Sequence, residues 1–234
     1  TWMVLPACML GGAVAGICTG LIHTKLKIDA LLAGILVMTG LYSINLILLG
    51  RSNIPLINIP GIFSFHFFAD DIINQLLVAG IIVFFLSAGL RFLLKTDFGI
   101  AMRATGNNPV MTQSLGIHND RIKILGLALA NAFTALSGFL VAQYQNFTDV
   151  NMGIGIVITG LGSVLIADAL RQWWQVTHIG LQIILVLAGS LIFQMVLAFT
   201  LAMGIDPNFL KLITALFVLL IVAIPRLSKA IKRK

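Results

Sequence analysis

The sequence predicts an all-α fold: a polytopic transmembrane helical bundle with about seven spans and a short helix in one inner loop. Three observations carry that prediction. Of 234 residues, 59% are hydrophobic and 10% charged, whereas soluble domains average roughly 25% charged residues. The fifteen Lys/Arg and eight acids (all Asp) are gathered between long charge-free windows. The basic residues also alternate from one side of those windows to the other. This composition excludes an ordinary soluble domain and a disordered chain. Two cysteines, Cys8 and Cys18, exclude a disulfide scaffold.

A helix crossing the hydrocarbon core needs about 20 mostly apolar residues. The windows place spans at Trp2–Ile22, Asp29–Leu49, Asp71–Leu93, Arg121–Tyr144, Gly153–Leu170, Ile179–Phe199 and Pro207–Ile224. Residues 52–69 are also uncharged, but Pro55, Asn58, Pro60 and Gly61 break any continuous helix there. That stretch reads as a loop or a short re-entrant element. Asp29, Asp71, Asp120 and Asp206 each stand just before an apolar run, where a carboxylate can accept from the free N–H groups of a first helical turn. Pro207 suits the first helical position.

Orientation follows from the basic residues, which favour the cytoplasmic side. Thirteen of the fifteen fall in the proposed inner segments, leaving Arg51 and Lys211 outside. The chain therefore begins outside and its C-terminus is cytoplasmic. The net charge of +7 reflects topology and requires no nucleic acid. Thr1 opens the chain within a span, without a basic leader region. The expectation is a fragment whose upstream spans are absent, with a cleaved signal peptide as the alternative.

Intramembrane catalysis or proton-driven transport needs ionisable groups at depth. Here His23, His66, His118, His178 and every Asp lie at span ends or in loops, so catalytic residues, metal ligands and bound cofactors are not expected. Cys8 and Cys18 lie about 15 Å apart along one helix, too far to pair.

The polar groups at depth are neutral: Tyr42, Asn45, Asn131, Thr134, Thr159, Ser163, Gln182 and Gln194. They suit either a solute path or hydrogen bonding between neighbouring helices. Asn131 and Thr134 share a helix face, as do Thr159 and Ser163. With Gly153, Gly155 and Gly160 these form the candidate translocation path. The glycine-rich segment 153–163 fits an interrupted helix beside a pathway or simple tight packing. Gly12, Gly16 and Gly20 form a stripe that allows close helix approach, within the chain or between chains.

The long inner loop, residues 95–121, is the most informative stretch. Asn108 can cap a helix, Pro109 fits its first position, and Gly116 can end it in the left-handed conformation. The spacing predicts a short helix over Pro109–Leu115, with Val110, Met111, Ser114 and Leu115 giving a partly apolar face extended by Ile117. Such a helix suits another protein's groove, or it rests on its own membrane domain. Outside the spans, Ile54–Phe68 is rich in phenylalanine and fits the lipid interface or a rim that receives a partner, together with 146–151 and 202–208.

Thr96-x-x-Gly99, Arg103-Ala-x-Gly106, Asn108-Pro109, Leu115-Gly116-Ile117 and Arg121-x-Lys123 resemble the cytoplasmic loop of bacterial ABC-importer permeases of the branched-chain amino-acid and ribose type. Gly20-Leu-Ile-His-Thr-Lys-Leu-Lys27 and Leu31-Leu-Ala-Gly-Ile35 are most similar to a subgroup paired with lipoproteins that bind amino acids, aromatic ones included. The resemblance implies one permease domain over residues 1–234, incomplete at its N-terminal end, with the coupling loop at 95–121. It implies that Arg103, Gly106, Asn108 and the following helix through Ile117 couple to a separate ATPase subunit that holds ATP and Mg. Relatives often have Glu-Ala-Ala after the proline, where this chain has Val110-Met111-Thr112. The resemblance further implies an extracellular substrate-binding lipoprotein, a second permease copy (a homodimer), surrounding membrane lipid and a bacterial plasma-membrane location. The rival class is a stand-alone secondary carrier or facilitator.

Overall fold

The computed structural model describes residues 3–56, 61–64, 71–153 and 156–204, and single positions 209, 212, 213, 216 and 219. Most of the expected seventh span, the C-terminal tail, Gly155, and Phe65 to Phe68 lie outside the described residues. The chain divides into two compact units, Thr1–Met152 and Gly153–Lys234.

The first unit is built on α1 (Val4–Lys25), α2 (Ala30–Leu49), α3 (Asp71–Lys95), α4 (Asp97–Asn107), α5 (Pro109–Ser114) and α6 (Asn119–Gln145). Its spine is the antiparallel pair of α1 and α6. The glycine stripe makes that pair possible. A Cβ on Gly12 would sit 2.5 Å from the Asn131 carbonyl oxygen, one on Gly16 would sit 2.6 Å from Ala128 Cα, and one on Gly20 would sit 2.8 Å from Ile124 Cα. These are backbone atoms, so nothing larger than glycine fits without separating the helices. The close approach that the stripe allows is therefore within the chain, and Ala128, Ala132 and Leu136 complete the buried seam. The opposite faces of these helices and most of α2 and α3 expose large apolar side chains, the arrangement of helices whose solvent is lipid.

Asp29 caps α2, accepting from the Leu31 N–H at 2.9 Å. Asp71 opens α3. Asp120 differs from its expected place: α6 begins two residues before Arg121, behind His118, so Asp120 lies inside the first turn. Its carboxylate still favours that position through the helix dipole.

At one end of the unit two short strands pair antiparallel, β1 (Asn53–Pro55) on β2 (Phe147–Asp149). A 3₁₀ turn over Ile62–Ser64 follows. Strand β1 and this turn lie in the stretch 52–69 read as a loop or a short re-entrant element, and the strand pair is the exception to the helices among the described residues. The Leu56 N–H donates to Asn146 O at 2.8 Å and the Val150 N–H donates to Ser52 O at 2.9 Å. Buried Gln143 accepts from the Ile62 N–H at 3.3 Å, and Phe63 meets Tyr144 edge-on at 5.8 Å. Two of the three segments grouped as one outer rim from sequence, 54–68 and 146–151, are thus physically joined where they are described.

The second unit holds α7 (Ile156–Trp174) and α8 (Ile179–Ala202), packed as a helical hairpin. Gly189 of α8 lies against α7, where a Cβ would come within 2.5 Å of Ser163 O, and Phe193 is fully buried. Five helices among the described residues are long and apolar enough to cross a membrane: α1, α2, α3, α6 and α8. About seven were expected. The fifth expected span corresponds to α7, whose last turns carry Asp168 and Arg171 joined at 3.9 Å.

Candidate functional site

The segment read from sequence as a loop with one helix contains two. After α3 the chain turns sharply at Thr96, whose hydroxyl donates to Leu93 O at 2.6 Å and accepts from the Gly99 N–H at 3.4 Å. A Cβ on Gly99 would sit 2.5 Å from Leu94 Cα. Thr96-x-x-Gly99 is therefore a corner: threonine caps the new helix while glycine lets it fold back on the old one. Helix α4 then packs on α6, bringing Met102 Sδ to 3.1 Å from where a Cβ on Gly126 would lie. Arg103 is exposed and its Nε donates to Gly99 O at 3.4 Å. Gly106 has open space around it.

Helix α5 forms one residue shorter than expected, over Pro109–Ser114. Asn108 Oδ1 accepts from the Met111 N–H at 3.0 Å, Pro109 occupies the first turn, and Gly116 has φ +83°. The Gly116 N–H donates to Gln113 O and the Ile117 N–H to Thr112 O, both at 3.0 Å, so the carbonyls at the helix end are satisfied.

What holds α5 in place is Asn119, a residue that the sequence reading did not single out. Its Nδ2 donates to Pro109 O at 2.6 Å, and its Oδ1 lies 2.8 Å from the Thr112 hydroxyl and 3.5 Å from that of Thr105. One amide at the start of α6 thus ties α4 and α5 together. Thr112, 1% exposed, is the inward residue of α5, while Val110 (77%), Met111 (58%) and Leu115 (66%) face outward. Ser114 turns its hydroxyl back to Met111 O at 2.7 Å, and Ile117 is half-buried. Helix α5 is thus a short helix tied to α4 and α6 with its apolar side chains exposed.

The candidate path residues fall in separate units. On α6, Asn131 is half-buried and donates to Leu127 O at 3.0 Å, while exposed Thr134 donates to Ala130 O at 2.9 Å. On α7, Thr159 donates to Ile156 O and Ser163 to Thr159 O, at 2.8 and 2.7 Å. Among the described residues, each bonds a carbonyl of its own helix. Gln182 likewise reaches Val176 O and Thr177 O just before its own helix. Among the described residues, nothing lies within 4 Å of a Cβ position on Gly153 or Gly160. Among the described residues no group of His, Cys, Asp or Glu could hold a metal ion.

Long apolar helices on a glycine seam, with an anchored helical elbow at one end, define a multi-pass membrane protein. Residues 1–223 match the family described as branched-chain amino acid transport system / permease component, and the chain belongs to that family. It is 40% identical, over 96% of this chain and 73% of the relative, to the tyrosine transport system permease protein of Clostridioides difficile. It is 32% identical to an uncharacterized protein of Rickettsia prowazekii, over 88% and 72% of the two chains. The autoinducer 2 import system permease protein LsrC of Yersinia pestis is 26% identical, over 80% of this chain and 60% of the relative. No solved structure matches the chain. The protein is a permease component of an ABC-type transport system, the class that the loop motifs implied.

Proposed function

We propose that this permease carries an amino acid inward across a bacterial plasma membrane, driven by a separate ATPase subunit that binds ATP and Mg. The observation that carries the reading is α5, held from behind by Asn119 and buried Thr112 while Val110, Met111 and Leu115 face outward. In this reading α5 is the coupling helix and its apolar face seats in a groove of the ATPase. Arg103, Gly106, Asn108, Pro109, Ser114, Gly116 and Ile117 support that contact. The α5 end is cytoplasmic, as is the C-terminus, in keeping with Lys25, Lys27, Lys95 and Lys123 near that end.

An extracellular binding lipoprotein delivers the solute, and a second copy of the permease completes the assembly. The similarity to a tyrosine transport permease supports an amino acid as cargo. Asn131 and Thr134 on α6, and Gly153, Gly155, Thr159, Gly160 and Ser163 in the α7 region, are the proposed path residues. Neutral groups of this kind can hydrate a zwitterion without trapping it.

Reconstitution tests the reading. Co-isolation with an ATPase and ATP-dependent amino-acid uptake are expected, whereas uptake by this chain alone without nucleotide supports the secondary-carrier class instead. Single cysteines at 131, 134, 159 and 163, in a background lacking Cys8 and Cys18, should react with a water-soluble thiol reagent in a nucleotide-dependent way. Four unreactive positions in every state would reject the path assignment.

A further inference from the structure

At the α5 end of the first unit, the end of α1 and the start of α6 enclose an open cavity of about 640 Å³. Lys25, Arg121 and Lys123 line it, with His118, Asn119 and Asp120 on the same wall. The α1–α6 seam creates the juxtaposition, because antiparallel packing sets the last residue of α1 beside the first turn of α6. Among the described residues, neither these three cations nor Asp120 forms an ion pair or a side-chain hydrogen bond. The cavity thus gathers three unneutralised cations against one carboxylate, which the first turn of α6 already favours through the helix dipole.

Depth identifies the ligand. Helix α6 has 27 residues, a length of about 40 Å, against a hydrocarbon core of about 30 Å. Its first turn therefore lies at the level of the lipid headgroups. The long stems of Lys25, Arg121 and Lys123 can lie along apolar surface while their heads reach that level. We propose that this cavity binds the phosphate of an anionic phospholipid, with Lys25, Arg121 and Lys123 as its ligands. Gln113 of α5, with Gly116 and Ile117 after it, closes the remaining side. Because the cavity opens beside two membrane-spanning helices at headgroup depth, a lipid fits it better than an acidic patch on a protein partner.

The test uses the intact permease with its ATPase subunit in nanodiscs of phosphatidylcholine mixed with phosphatidylglycerol, released into native mass spectrometry. Wild type should retain phosphatidylglycerol in preference to phosphatidylcholine. Lys25→Gln, Arg121→Gln and Lys123→Gln should each lower that preference about fivefold, as expected for removing one cation from an anionic surface. The charge-keeping variants Lys25→Arg and Lys123→Arg should preserve it. Equal retention of both lipids by wild type overturns the proposal, and so does displacement of the lipid by inorganic phosphate, which would mark a free-phosphate site. Loss of the ATPase from pure phosphatidylcholine nanodiscs in the glutamine variants also overturns it, by assigning the cations to a protein contact.

Discussion

The two ends of the first unit are closed by different chemistry. At the strand end, main chain meets main chain: Asn53–Pro55 pairs with Phe147–Asp149, and the flanking bonds run between backbone groups. At the α5 end the closure is made by short polar side chains, those of Thr96, Asn108, Thr112 and Asn119, with glycine where the chain must turn. Backbone pairing tolerates many sequences, whereas side-chain closure demands particular residues at particular spacings. The end that presents the apolar face of α5 is the one written in specific residues.

The largest expected effect comes from breaking what both ends hang on. Gly16→Leu would force α1 off the α6 backbone, an overpacking cost of about 3 kcal/mol or more. Gly11 on the same helix, with open space at its Cβ position, is the control, and Gly11→Leu should leave thermal stability in detergent nearly unchanged. If both variants behave alike, the α1–α6 seam is not the spine of the unit.

Asn119→Ala should come next. It removes two hydrogen bonds at once, one from the Thr112 hydroxyl and one to Pro109 O, at a cost of about 1–3 kcal/mol in all, although the Thr112 hydroxyl keeps Pro109 O at 3.0 Å. Proteolysis or hydrogen exchange should locate the loosening in α5 while α1 stays protected. Gly116→Val follows at about 1 kcal/mol or more, because a β-branched residue resists the left-handed conformation. Under the proposed coupling it should leave membrane insertion intact and lower the transport obtained per ATP hydrolysed. Smallest is Gln143→Leu at the strand end, where one hydrogen bond to Ile62 is lost, about 1 kcal/mol, and the strand pair persists. A larger effect there than for Asn119→Ala would reverse the comparison.

The same contrast explains what could be read from the sequence. The spans were legible because charge-free windows are long, and α5 because Asn108, Pro109 and Gly116 are strong local stops. The strand pair was not, since each strand has three residues and its partner lies far along the chain, 96 positions from Asn53 to Asp149. Helix α4 was hidden by Gly99 and Gly106, residues that argue against a helix until Thr96 is seen as its cap. Gly12, Gly16 and Gly20 announced a close approach but could not name Leu127 and Ala128 as what is approached. Asn119 gave no signal of its own, because its role depends on Pro109 and Thr112 being folded back beside it.

The most direct measurement of the coupling assignment is site-specific crosslinking from Leu115→Cys in the assembled transporter, in a background lacking Cys8 and Cys18. A thiol-directed crosslinker at this position should capture the ATPase subunit, with a yield that changes between nucleotide-free and ATP-bound states. Capture of lipid alone in both states, by a complex that still hydrolyses ATP and transports, would contradict the assignment of α5 as the coupling helix.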